Sequence, residues 1–171
     1  MRNNKIYVGI VCCLLIVLSS CGYSFRGGGN LPEGIKSLFI KILKNRTSET
    51  GAENIFTNDL IYEVTSHGNV VLTDEGNADA ILSGVIKSMR IDAISHRDTY
   101  SSLERRVIIS IDLKLTDQTG RVIWSAKDIS ANKDYIVSSD KQTTERYRRE
   151  AIITLSKRLA EKVYNRLTDN F

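Results

Sequence analysis

RRVIISIDLKLT, residues 105–116, decides the fold. Val107, Ile109, Ile111, Leu113 and Leu115 alternate with Ile108, Ser110, Asp112, Lys114 and Thr116. A period of two sends successive side chains to opposite faces of a strand. One face is dry and the other mostly wet, the pattern of an antiparallel sheet covered on one side only. Asp117-Gln118-Thr119-Gly120 carries turn chemistry, and Val122, Trp124 and Ala126 bring the chain back, so the two strands form a hairpin. Tyr135-Ile136-Val137 is predicted to extend the second arm.

The dry face needs a cover, and the flanking sequence supplies it. Ser139-Asp140-Lys141-Gln142 reads as a capping box, and a long helix follows to about Leu167. Its apolar stripe is Ala151, Ile152, Leu155, Leu159, Val163 and Leu167. Upstream, Ala78 to Ile91 reads as a strand with Ile81, Val85, Met89 and Ile91 on one face, and Val70 to Leu72 as a short edge strand. Thr50-Gly51-Ala52-Glu53 is a second capping box, opening a helix that runs to about His67 with Phe56, Leu60, Ile61 and Val64 on its apolar side. Leu38 to Leu43 reads as a first strand. The order strand, helix, several strands, helix gives an α/β (α+β) two-layer sandwich, with two helices on one face of a roughly four-stranded mixed sheet.

The N-terminal stretch points to a location. Arg2 and Lys5 precede an apolar run from Ile6 to Leu18, and no acidic residue occurs before Cys21. Thirteen residues make a helix of roughly 20 Å, too short for a bilayer core of about 30 Å. A basic start, a short apolar middle and small residues at the end describe a secretory signal peptide. Leu18-Ser19-Ser20-Cys21 resembles the bacterial lipobox, which implies cleavage before Cys21 and acylation of its thiol and of the new amino group. Two or more acyl chains hold a protein stably at a membrane. Gly22 after the cysteine, in place of Asp, implies sorting to the outer membrane by the enteric rule. The expected organisation is therefore a signal peptide over 1–20, an acylated flexible tether over 21–34 and a single domain over 35–171. The tether's Tyr23 and Phe25 are unusual for a pure spacer.

Composition narrows the chemistry. The chain carries 24 basic and 20 acidic residues, a net +4; loss of the signal takes Arg2 and Lys5 and leaves +2, so global charge does not argue for nucleic acid. Cys12 and Cys13 leave with the signal and Cys21 is acylated, so the mature chain has no internal disulfide. The two histidines, His67 and His96, lie far apart with no metal-ligand spacing around them. Gly27-Gly28-Gly29 lacks the lysine and the strand-to-helix setting of a phosphate loop. Asp74, Glu75 and Asp79 have nothing apolar beside them to shift their titration. No nucleophile with a base is in view, so the chain is read as no enzyme and as needing no cofactor or metal.

The ordering of these pieces carries a family likeness. CGYSFRGGGNLPEGIKSLFI opens the mature chain, followed by a capped helix, the strand VLTDEGNADAILSGVI, a long hairpin with VIW in its second arm and an Arg-rich terminal helix. Together they resemble LptE, the lipopolysaccharide-assembly lipoproteins of the bacterial outer membrane. The resemblance implies a non-catalytic protein on the periplasmic face of that membrane. It implies a protein that sits as a plug in the LptD barrel, helps the barrel assemble and binds lipopolysaccharide during export. The alternative is a stand-alone periplasmic lipoprotein module for a soluble or peptidoglycan ligand.

Lipopolysaccharide carries phosphates and acidic sugars, so its site calls for Arg or Lys near exposed apolar surface. The candidates lie at loop ends: Arg97, next to His96, before the long hairpin, and Lys133 and Lys141 after it; Arg105 and Arg106, which start the strand, are second choices. The terminal helix adds Arg146, Arg148, Arg149, Lys157, Arg158, Lys162 and Arg166 against Glu145, Glu150 and Glu161. That helix reads either as a solvated face or as a surface for an acidic partner. The wet sheet face, with Ser110, Asp112, Lys114 and Thr116, suits a water-lined barrel lumen.

Overall fold

The computed structural model describes residues 31, 34–67, 70–94 and 103–169. Two helices pack on one face of an open mixed sheet. The strands are β1 (Ser37–Ile40), β2 (Lys44–Asn45), β3 (Val71–Leu72), β4 (Ala80–Ile94), β5 (Glu104–Asp117) and β6 (Val122–Ile136). The helices are α1 (Ala52–His67) and α2 (Lys141–Asp169). The sheet order is β3-β1-β4-β5-β6, with β2 also pairing with β4. β1 is parallel to β3 and to β4, while β4, β5 and β6 form an antiparallel meander. The sheet counts six strands where the sequence suggests about four, because β2 and β3 are two-residue pieces beside the four longer ones.

β5 is the reference strand. Val107, Ile109, Ile111, Leu113 and Leu115 are all buried, as the alternation predicts. Its neighbours keep that dry face only by breaking their own alternation. On β4, Ala80, Leu82 and Ile86 are buried. Lys87 is then an extra residue, with Ile86 opposite Ile111 and Ser88 opposite Ser110. Such a bulge reverses parity. Met89 and Ile91, opposite Ile109 and Val107, therefore point to the helices, whereas Ile81 and Val85 do not. The single face of Ile81, Val85, Met89 and Ile91 expected from the sequence is thus split between two faces. β6 does the same: Ala126 lies opposite Leu113 and Ile129 opposite Ile111, with Lys127 and Asp128 facing Asp112 alone.

The helices meet this face with Phe56, Leu60 and Val64 from α1 and Ile152, Leu155, Leu159, Val163 and Leu167 from α2, all at most 2% exposed. Leu31 joins the same core. Arg148 reaches from α2 to Glu49 (2.6 Å) and Glu145 (2.9 Å), and the Tyr164 hydroxyl donates to the His67 carbonyl (2.8 Å). These contacts pin the two ends of α1 against α2. Caps differ in detail from the sequence reading. Asp140, not Ser139, caps α2, accepting from the Thr143 amide (2.8 Å). Glu53 accepts from Asn45 Nδ2 (2.7 Å), which ties the start of α1 to β2. Asp79 fixes the start of β1, accepting from the amides of Lys36 (2.9 Å) and Ser37 (2.8 Å), and these bonds hold its carboxyl below the usual range.

Gly84 sits on the dry face opposite Leu113. A Cβ there would come within 2.3 Å of Leu113 Cδ2 and 2.5 Å of the Asp112 carbonyl. Gly84→Ala normally gains from a stiffer unfolded chain, but here the clash with backbone decides the sign. The substitution is expected to lower stability by about 1–3 kcal/mol, read as a lower urea midpoint.

Candidate functional site

β6 runs its 15 residues away from the start of β1, and α2 returns over 29. At about 3.3 Å and 1.5 Å per residue, the domain is roughly 45 Å long. The start of β1 marks one end. The end of β6 and the start of α2 mark the other, and the candidate cations gather there.

Lys133 lies within β6, not in a following loop, and its partner Val107 puts it on the helix-facing side. It is half-buried and lines a depression of about 260 Å³ with Tyr135, Tyr147, Glu150 and Thr154. Lys141 is the first residue of α2 and is exposed. It lines a neighbouring depression of about 510 Å³ with Arg146, Arg149, Glu150 and Ile153. Glu150 is common to both, so the fold brings Lys133 and Lys141 to one surface. Arg97, His96 and Cys21 lie outside the described residues.

Charge state and pairing sort the remaining cations. Arg106 is spent on Asp134 directly across the strands, through Nε (2.6 Å) and a second nitrogen (2.9 Å), which raises its pKa further. It is a poor choice for an external anion. Arg146 is shared between Glu150 (3.1 Å) and the face of Tyr147 (4.7 Å). Arg148 is held by Glu49 and Glu145. Lys133, Lys141, Arg149 and Arg105 form no hydrogen bond or ion pair among the described residues. An unpaired Arg or Lys keeps its donors for a phosphate or carboxylate. Arg149 is the addition that sequence reasoning did not single out. Its i, i+4 relation to Ile153 at a helix start was the available signal.

The uncovered sheet face is different in kind. Lys87 Nζ bonds Asp128 Oδ1 (2.6 Å) and lies 3.7 Å from Asp112 Oδ2. The Asp128 amide donates to Asp112 Oδ1 (2.7 Å). With Arg106–Asp134 and Arg90–Asp92, these pairs neutralise the face internally. The hydrogen bond from Lys87 holds the Asp128 carboxyl below the usual range, and Asp128 in turn raises Lys87. His67, at the end of α1, is a structural residue whose ring stands 3.4 Å from Glu63 and packs on Tyr164. Burial raises the Glu63 carboxyl.

A carboxyl with a depressed folded pKa contributes stability above the ordinary Asp value and loses it as pH falls through the folded value. Asp128→Asn keeps a side chain that tolerates the φ of 53° found there. The variant is expected to have a lower urea midpoint at neutral pH, and the gap from wild type closes as pH falls below about 4.

The family model described as LptE, lipopolysaccharide-assembly, matches residues 35–167. Solved structures share the fold. One is a minor lipoprotein from Acinetobacter baumannii, at 16% identity, covering 81% of this chain and 95% of that one with a TM-score of 0.61. Another is an uncharacterized lipoprotein B from Nitrosomonas europaea, at 13% identity, 87% and 92% coverage and a TM-score of 0.61. A third is the rare lipoprotein B from Shewanella oneidensis, at 15% identity, 75% and 94% coverage and a TM-score of 0.53. At these identities the likeness is one of fold. Among curated protein sequences none matches the chain. Among the described residues no helix is long and apolar enough to cross a membrane.

Proposed function

The chain belongs to the LptE lipopolysaccharide-assembly family, and from that premise we propose that it is the lipid-anchored plug of an LptD barrel, helping the barrel assemble and binding lipopolysaccharide during its passage to the cell surface. The family match over 35–167 carries this reading. It is a non-catalytic role, performed by position and charge.

Two features of the molecule support it. The sheet face away from the helices carries charges that are paired with one another, which suits contact with a wet lumen wall because little charge has to be desolvated unpaired. The far end of the domain carries unpaired Lys133, Lys141 and Arg149 beside Tyr135, Tyr147 and Ile153, the mixture that phosphates next to acyl chains require. Arg97, which lies between β4 and β5 in the sequence, is proposed for the same site. Cys21 is the proposed anchor. It lies sixteen residues before Ser37, so the tether leads to the β1 end of the domain, opposite the cationic end.

The test separates the glycolipid from the barrel. The triple variant Arg97→Glu, Lys133→Glu, Lys141→Glu is expected to bind purified lipopolysaccharide at least about tenfold more weakly, or 1.4 kcal/mol. It is expected to co-purify one-to-one with LptD as wild type does. Unchanged lipopolysaccharide affinity would remove this site. A wild-type protein that never co-purifies with the barrel in mild detergent would remove the plug. Cys21→Ala is expected to release the protein from the membrane fraction.

A further inference from the structure

The second half of β4 is an open edge. β2 leaves β4 at Asn45, opposite Ile86, while β4 runs on to Ile94 with no further strand beside it among the described residues. Ser88, Arg90, Ile91, Asp92 and Ala93 are exposed there. Unpaired amides and carbonyls along such an edge invite another strand. The pairing of β5 shows which groups they are. The Val137 amide donates to the Leu103 carbonyl (2.8 Å), so the odd-numbered residues of this part of β5 bond β6 and the even-numbered ones bond β4. Met89, Ile91 and Ala93 lie opposite Ile109, Val107 and Arg105. Their N–H and C=O groups therefore point outward, away from β5.

The segment is complementary to its own antiparallel copy. Arg90 and Asp92 flank Ile91 with opposite charges on one face, and Met89 and Ala93 flank it on the other. With a two-fold axis at Ile91, that residue meets Ile91 of the second copy, Met89 meets Ala93, and Arg90 meets Asp92. The outward-pointing residues then pair as three hydrogen-bonded couples, about six backbone bonds. Arg90 and Asp92 fall at the non-hydrogen-bonded positions, where Cα atoms come to about 4.5 Å and side chains interact most closely. An axis at Arg90 or at Asp92 would set like charges opposite each other, so the charge pattern selects Ile91. In the single chain Arg90 Nε donates to Asp92 Oδ2 (3.2 Å) with both side chains largely in solvent. A second copy exchanges that pair for two cross-strand pairs.

We propose that the open edge of β4 pairs with the same edge of a second copy of this chain, antiparallel about Ile91, and joins the two sheets into one. The interface is isologous, each copy offering the same strand. It is short, below the roughly 1,200 Å² of a stable complex, so the dimer forms and dissociates with concentration. Its effect is to cover, in the unbound protein, an edge that would otherwise seed aggregation. The inference does not depend on the plug reading.

The experiment uses the full-length protein in its membrane and purified in mild detergent. Under mild oxidation Ile91→Cys is expected to give a disulfide-linked homodimer, because Cα atoms of a hydrogen-bonded pair lie about 5.5 Å apart, within disulfide reach. Ile94→Cys is expected to give none, since its two copies would stand about 20 Å apart. Wild type under the same oxidant is the blank. In sedimentation equilibrium Arg90→Glu alone is expected to weaken dimerisation at least about tenfold, by turning both cross-strand pairs repulsive. Arg90→Glu combined with Asp92→Arg is expected to restore it, with thermal midpoints unchanged because both side chains are exposed. Equal linkage at positions 91 and 94, a position-91 adduct to another protein with no homodimer, or a wild type that stays monomeric at every concentration overturns the inference. So does a single reversal that dimerises like wild type, or a double reversal that does not recover.

Discussion

Asp112 is the residue on which the geometry turns. It sits on β5 between two bulges, one at Lys87 on β4 and one at Lys127–Asp128 on β6. Its carboxylate takes the Asp128 amide, and Lys87 bridges it to the Asp128 side chain. These groups are partly exposed, so the ion pairs add little net stability. Their effect is on register. Each bulge restores the dry face of its strand after a run that would have carried it outward. Without them Met89 and Ile91 on β4, and Ile129 and Tyr135 on β6, would turn from the helices. The far end of the domain, with its cations, would then be a different surface.

That constraint also divides the work between faces. The bulged face spends its charges on itself, in Lys87–Asp128, Arg106–Asp134 and Arg90–Asp92. The helix-side end keeps Lys133, Lys141, Arg149 and Arg105 free among the described residues. A self-neutralised face can lie against polar protein with little electrostatic cost, whereas unpaired cations gain most from an anionic ligand. A protein that fills a lumen while handling an acidic glycolipid needs both. The contrast therefore fits lipopolysaccharide assembly, the role that family membership suggests.

β5 was legible from sequence because it is unbulged: its five inward residues alternate without a break. The α2 stripe was legible for the same reason, since every residue named for it is buried. β4 was misread at Ile81 and Val85 because one extra residue leaves no mark in composition or period. Lys133 read as a loop residue because the second bulge hides the continuity of β6 past Asp128. Arg106 looked available because its partner Asp134 lies far along the chain. The family likeness could name a ligand, but pairing between distant strands decides which cations are left to bind it.

The most direct measurement of the central claim is depletion of this protein, followed by the folding state of LptD in the outer membrane. The account predicts that the barrel loses its heat-modifiable folded form and that newly made lipopolysaccharide stops reaching the cell surface. A barrel that folds normally and continues to export lipopolysaccharide without this protein would contradict it.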